Sequence, residues 1–205
     1  MGVRKALSTA RRSGAVMLLA MGLAGCGGGT VPPDNYYRLV PPADVAQRTG
    51  GPLPGAVEVQ PLRADGLLND RAILYHNGPA RIDGYSYHFW WQAPGTLLQQ
   101  SLIDDLRTAH AFETVAGPEM KLDRTYEIVG RIRHLEQGTN NVDVEVELSL
   151  RAANGDTLLL KSYQQKVPIS GEAVQDAVVA FSTAVGNIWA DFVRDLEAIT
   201  PQPRR

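Results

Sequence analysis

Between Val142 and Leu150 the chain alternates without exception: Val142, Val144, Val146, Leu148 and Leu150 are apolar, while Asp143, Glu145, Glu147 and Ser149 are polar. A period of two places the first set on one face of an extended strand and the second on the other, which predicts a β-strand with one dry and one wet side, continuing to Arg151. Tyr126 to Leu135 has a similar pattern, with Tyr126, Ile128 and Ile132 set against Val129, Arg131 and Arg133. A turn through Gly138 to Asn141 joins these two segments, and the hairpin dipeptide Asn154-Gly155 returns the chain along Thr157 to Val167. Three consecutive strands joined this tightly are predicted to form an antiparallel meander.

The period then changes. Val174, Val178, Phe181, Val185, Ile188, Phe192, Leu196 and Ile199 step by threes and fours, an apolar stripe along a helix from Glu172 to Ile199, with Ser170 as its cap and a length of about 42 Å. Leu98, Leu102, Leu106 and Ala109 repeat the motif after Pro94, which suits a first helical turn, and place a second helix at Pro94 to His110. Shorter β-prone runs occupy Asn35–Val40, Ala56–Gln60, Arg71–His76, Tyr85–Trp91 and Phe112–Ala116. Pro41 to Gly55, with four prolines and three glycines, and Asn77 to Gly84 read as loops. The dry faces must bury one another, so the expected fold is α+β: an antiparallel or mixed β-sheet with two helices packed on one face.

The N-terminus follows a different logic. A basic stretch through Arg12 precedes ten small or apolar residues, Ala15 to Ala24, too few for the roughly 20 that span a bilayer but suited to a signal peptide, residues 1–25. Leu23-Ala24-Gly25-Cys26 matches a lipobox, so Cys26, the chain's single cysteine, is the expected lipidation site. An acylated thiol forms no disulfide, and stability then rests on the core alone. Residues 26–34, Gly-rich and ending in Pro32-Pro33-Asp34, read as a flexible tether able to span roughly 26 to 29 Å. A single domain at 35–200 and a disordered tail at 201–205 complete the expected layout. Gly27 follows the cysteine, where aspartate commonly marks inner-membrane retention, so the periplasmic face of the outer membrane is the expected location.

Charge narrows the partners. Removing Arg4, Lys5, Arg11 and Arg12 with the signal peptide leaves sixteen basic against twenty-two acidic residues, a net charge of minus six with no basic run. Nucleic acid is thereby disfavoured, as is attachment to anionic headgroups by overall charge.

Motifs for chemistry are few. His76, His88, His110 and His134 show no close metal-ligand spacing, and no phosphate-binding Gly-rich loop or Gly-x-Ser-x-Gly elbow occurs, so neither metal, cofactor nor catalytic residues are expected. Asp104-Asp105 lie about 100° apart on a helix and are read as a solvated face. Asp143, Glu145 and Glu147 are read as the wet side of a strand. One cluster stands out: Tyr85, Tyr87, Phe89, Trp90 and Trp91 put five of fourteen aromatic residues into seven positions. Strict alternation places Tyr85, Tyr87, Phe89 and Trp91 in the core and leaves Trp90 opposite them, an exposed candidate for partner or lipid contact. Trp189 and Val193, beside the helical stripe, carry a weaker version of that reading.

Together the lipobox, Tyr36-Tyr37-Arg38-Leu39, Arg71-Ala72-Ile73-Leu74-Tyr75, the Tyr85 to Trp91 stretch with Pro94 and its Leu-rich helix, Tyr126 to Gly130 and the C-terminal helix resemble the ABC-type transport auxiliary lipoproteins over about Asp34 to Ile199. The step Gln92-Ala93-Pro94-Gly95 is less proline-rich than is usual there. The resemblance implies an accessory to an ABC permease, its ATPase and an MCE-type periplasmic substrate-binding protein, moving phospholipid or another hydrophobic molecule across the envelope, with no catalytic residues to transfer. A structural lipoprotein supporting assembly of an outer-membrane complex is the competing expectation.

Overall fold

The computed structural model describes residues 31–40 and 51–201. Cys26, the signal segment, most of the tether, the Pro41 to Gly50 part of the expected loop and residues 202–205 lie outside them. The strands are β1 (Asn35–Tyr37), β2 (Leu53–Val59), β3 (Ala72–His76), β4 (Ile82–Trp90), β5 (Phe112–Ala116), β6 (Tyr126–Gln137), β7 (Asn141–Ala152) and β8 (Thr157–Pro168). The helices are α1 (Pro94–Thr108) and α2 (Val174–Asp195).

One mixed sheet contains all eight strands, and β6 organises it. One edge of β6 pairs antiparallel with β7 from Tyr126↔Ala152 to Gln137↔Val142, and β8 continues the meander as expected. The other edge is shared. β2 runs parallel to the start of β6 through Val57↔Tyr126 to Val59↔Ile128, and β3 runs parallel to its end through Leu74↔Glu136 and Tyr75↔Gln137. β5 extends the first branch in parallel, while β4, antiparallel to β3, and then β1, parallel to β4, extend the second. The expectation of a mixed sheet carrying two helices on its dry face holds.

Alternation in β7 is reproduced without loss: all five apolar residues from Val142 to Leu150 are fully buried. Across them lies α2, whose Val178, Phe181, Val185, Ile188 and Phe192 join the same core as Leu98, Leu102 and Leu106 of α1. At 22 residues α2 is about 33 Å long, shorter than the sequence pattern suggests. Its N-cap is Ala173 rather than Ser170, and Asp176 closes the first turn by accepting the Ala173 backbone N–H at 3.0 Å. At the far end Leu196–Ala198 tightens into a 3-10 turn.

β2 begins at Leu53, inside the segment read as loop. Its register slips between Leu53 and Ala56, where Gly55 adopts φ +94°, so Pro54 and Gly55 occupy a bulge and do not break the strand.

Candidate functional site

Trp90 does not face solvent. Only 1 % of it is exposed, and its indole meets Phe181 of α2 edge-on, ring centroids 5.4 Å apart. The error in the alternation lies in the β3–β4 pairing, where Leu74 opposes Gly84 and Ala72 opposes Phe89. Two steps along β3 therefore match five along β4, and the surplus residues form a bulge that reverses which side the following side chains take. Tyr85 and Trp90, an odd number of residues apart, both reach the core side. Trp91, expected inside, is left 38 % exposed. Trp189 is likewise 1 % exposed, and its Nε1 donates to Ser101 Oγ of α1 at 3.0 Å, tying the helices together. Neither Trp90 nor Trp189 presents an indole at the surface, so both are corrected to core residues.

The surface aromatic group is a different one. Trp91 carries the Arg38 guanidinium 4.1 Å above its ring, at one end of a groove of about 200 Å³ that Leu39, Leu97, Gln100, Ser101 and Asp104 also line. Beyond it, on the outer side of β1 and β4, Tyr36 and Phe89 have ring centroids 5.8 Å apart, and the Arg71 guanidinium lies 5.5 Å from the Tyr36 centroid. Tyr36 Oη donates to Asp34 Oδ2 at 3.2 Å. Neither Arg38 nor Arg71 has a carboxylate partner among the described residues. The i, i+2 relation of Tyr36 and Arg38 carries this signal in the sequence, but their proximity to Phe89 and Trp91 depends on the parallel β1–β4 pairing, which no local pattern encodes.

On β7 the charges satisfy one another. The three acids on the wet side of β7 each meet a basic group: Asp143 with Lys166 at 3.0 Å, Glu145 with His134 at 3.7 Å and Glu147 with Arg133 at 3.1 Å. Glu136 is buried and lies 2.8 Å from His76 Nε2 and 3.6 Å from His134 Nδ1. Among the described residues no three His, Cys, Asp or Glu side chains stand where they could hold one metal ion. The pair read as a solvated helix face divides: Asp104 is exposed, whereas Asp105 is buried with Oδ2 unpartnered, and burial pushes its carboxyl up to about 6.

The family model for the ABC-type transport auxiliary lipoprotein component matches residues 37–192, three quarters of the chain, from the end of β1 into the last turn of α2. The chain belongs to that family. Its function class is accordingly that of an auxiliary lipoprotein of an ABC-type transporter, a transport component and not a class of enzyme. The fold of the auxiliary lipoprotein is similar to that of a Xanthomonas campestris protein assigned to the family model DUF330, at 16% identity and a TM-score of 0.68, covering 78% of this chain and 92% of that one. A second solved structure, described only as an uncharacterized protein, aligns at 11% identity and a TM-score of 0.67, covering 80% and 99%. At such identities the likeness concerns the fold alone. No curated protein matches the chain.

Proposed function

We propose that this auxiliary lipoprotein is held at the periplasmic face of the outer membrane by acyl chains on Cys26 and docks the MCE-type periplasmic component of its ABC transporter, supporting intermembrane transport of phospholipid or another hydrophobic substrate. The observation that carries the reading is the coincidence of a lipobox ending at Cys26 with a family match over residues 37–192, nearly all of the sheet-and-helix body. Acyl chains contribute about 0.8 kcal/mol per buried methylene, so more than one chain on that residue makes attachment durable. Gly27 in place of aspartate favours the outer membrane. The body then acts as a binding module whose rigidity comes from a continuous apolar core.

Two measurements test this. Cys26→Ala is expected to move the protein from the membrane to the soluble periplasmic fraction. Crosslinking the wild-type protein in cells, followed by purification, is expected to recover an MCE protein. Recovery of a β-barrel assembly partner in its place supports a structural role and overturns the transport reading.

A further inference from the structure

The groove and the aromatic face beside it differ from the wet side of β7. Tyr36 is 54 % exposed and Trp91 38 %, and each ring supports a guanidinium that has no carboxylate partner among the described residues, whereas the acids of β7 are each matched to a base. Tyrosine and tryptophan with arginine at their edges suit the water–hydrocarbon boundary of a bilayer: the rings have an apolar body and a polar tip, and the guanidinium meets phosphate with a planar fork of donors. Asp34, and Asp104 which lies 3.9 Å from Arg107, border the same surface without pairing Arg38 or Arg71, so acidic and basic groups stand side by side there as in headgroups that carry phosphate and amine together. This agrees with the net negative charge of the mature chain, which disfavours adhesion to a strongly anionic surface.

Chain connectivity favours the bilayer over other occupants. Tyr36 and Arg38 lie ten and twelve residues after Cys26, and the nine residue steps from Cys26 to Asn35 reach at most about 32 Å when fully extended. The first strand of the body therefore cannot travel far from a membrane that holds Cys26, and an anchored ligand at that range is met at high effective concentration. We infer that the face formed by Tyr36, Arg38, Arg71, Phe89 and Trp91 rests on the phospholipid headgroup layer of the bilayer that holds the anchor, fixing which way the body points. The inference rests on the proposed lipidation of Cys26.

Trp91 reports on this directly, because Trp90 and Trp189, the other two tryptophans, are buried. The mature full-length lipoprotein is reconstituted into phosphatidylethanolamine–phosphatidylglycerol vesicles containing brominated phosphatidylcholine, with mass spectrometry of Cys26 on the same sample. The expected result is a blue-shifted emission quenched by bromine, with the quenched component absent from Trp91→Phe and reduced severalfold in Arg38→Glu/Arg71→Glu. Acylated protein that floats with the vesicles but shows the same quenching as Trp91→Phe overturns the inference and leaves the lipoprotein reading intact. An unmodified Cys26 sinks both. Trp91 indifferent to lipid but shielded from iodide when the MCE component is added would assign the face to a protein partner and overturn the inference.

Discussion

The indole of Trp90 and the ring of Phe181 meet at 78° with centroids 5.4 Å apart, so β4, next to the sheet edge on the far side of β6 from β8, is locked to the first half of the C-terminal helix. An edge-to-face pair sets the positive rim of one ring against the negative face of the other and adds about 0.5–1.5 kcal/mol to the burial itself. Trp90→Ala is expected to lower unfolding stability by roughly 3–5 kcal/mol, against no more than about 1 kcal/mol for Trp91→Ala. Equilibrium urea unfolding measures both. Equal losses would mean that the β4 bulge does not divide the two residues as described.

Gly130 illustrates a constraint invisible in composition. It opposes Leu148 across β6 and β7, and a Cβ added there would lie 2.7 Å from Leu148 Cδ2 and 2.8 Å from the Glu147 carbonyl oxygen. The carbonyl is part of the sheet and cannot swing away. Gly130→Ala is expected to destabilise by about 1–3 kcal/mol, read as a lowered urea midpoint with an unchanged slope.

Much of the architecture was written in local patterns. β6, β7, β8 and both helices follow from periods of two and 3.6, because burial on one face leaves that face's residues apolar. What escaped depended on contacts between distant segments. The β4 bulge exists because β3 and β4 pair out of step, and that pairing reassigns Trp90 and Trp91. Trp189 and Val193 lie off the stripe yet are buried, since α1 covers a second side of α2 and widens its dry arc. The parallel sharing of one β6 edge by β2 and β3 leaves no mark in either strand. For the surface site, the arginines and aromatics were present in the sequence, but the neighbourhood that makes them one face was not.

Two carboxyls, buried Asp105 and half-buried Asp195, shape the acid response in opposite directions. Asp105 is raised by burial to about 6, above its ordinary value near 4, so the native state holds its proton where the unfolded chain has lost it. Its contribution is fully present below about pH 4 and is lost as pH rises toward 6. Asp105→Asn removes that loss and is expected to stabilise the protein above pH 6, by at most about 3 kcal/mol for a shift of roughly two pH units. Thermal unfolding at pH 5 and pH 7.5 checks this, and a variant less stable than wild type at pH 7.5 would contradict it.

Asp195 works the other way. Burial pushes its carboxyl up, but hydrogen bonds from Lys161 Nζ and Tyr163 Oη, both 2.7 Å, with the charges of Lys161 and Arg194, hold it below the ordinary carboxylate range. That stability is present above the unfolded value near 4 and is lost as pH falls through the depressed native one. Tyr163 is itself buried, and burial followed by the bond to Asp195 pushes its hydroxyl up. Asp195→Ala leaves that hydroxyl without its acceptor and is expected to cost about 1–3 kcal/mol at pH 7. The difference from wild type should shrink below pH 4, as the wild-type carboxyl gains its proton.

Glu136 holds the seam on which the second branch of the sheet depends. β3 joins β6 through only two registered pairs, Leu74↔Glu136 and Tyr75↔Gln137, and the Glu136 carboxylate bridges that joint: His76 at the end of β3 lies 2.8 Å from Oε2, and His134 of β6 lies 3.6 Å from the same atom. The carboxylate is buried while His76 and His134 stay open to water, so the bond from His76 meets the hydrogen-bonding need of a desolvated acceptor across the joint. Glu136→Ala is therefore expected to destabilise by about 1–3 kcal/mol, with Glu136→Gln milder because the amide oxygen still accepts from His76. The loss should be local. Amide hydrogen exchange is expected to speed up in Ala72–His76 and Ile82–Trp90 well before it changes in Asn141–Ala152, whose pairing to β6 runs the length of the strand. Uniform acceleration across the sheet would show that the branches are not separable and that Glu136 supports the whole fold.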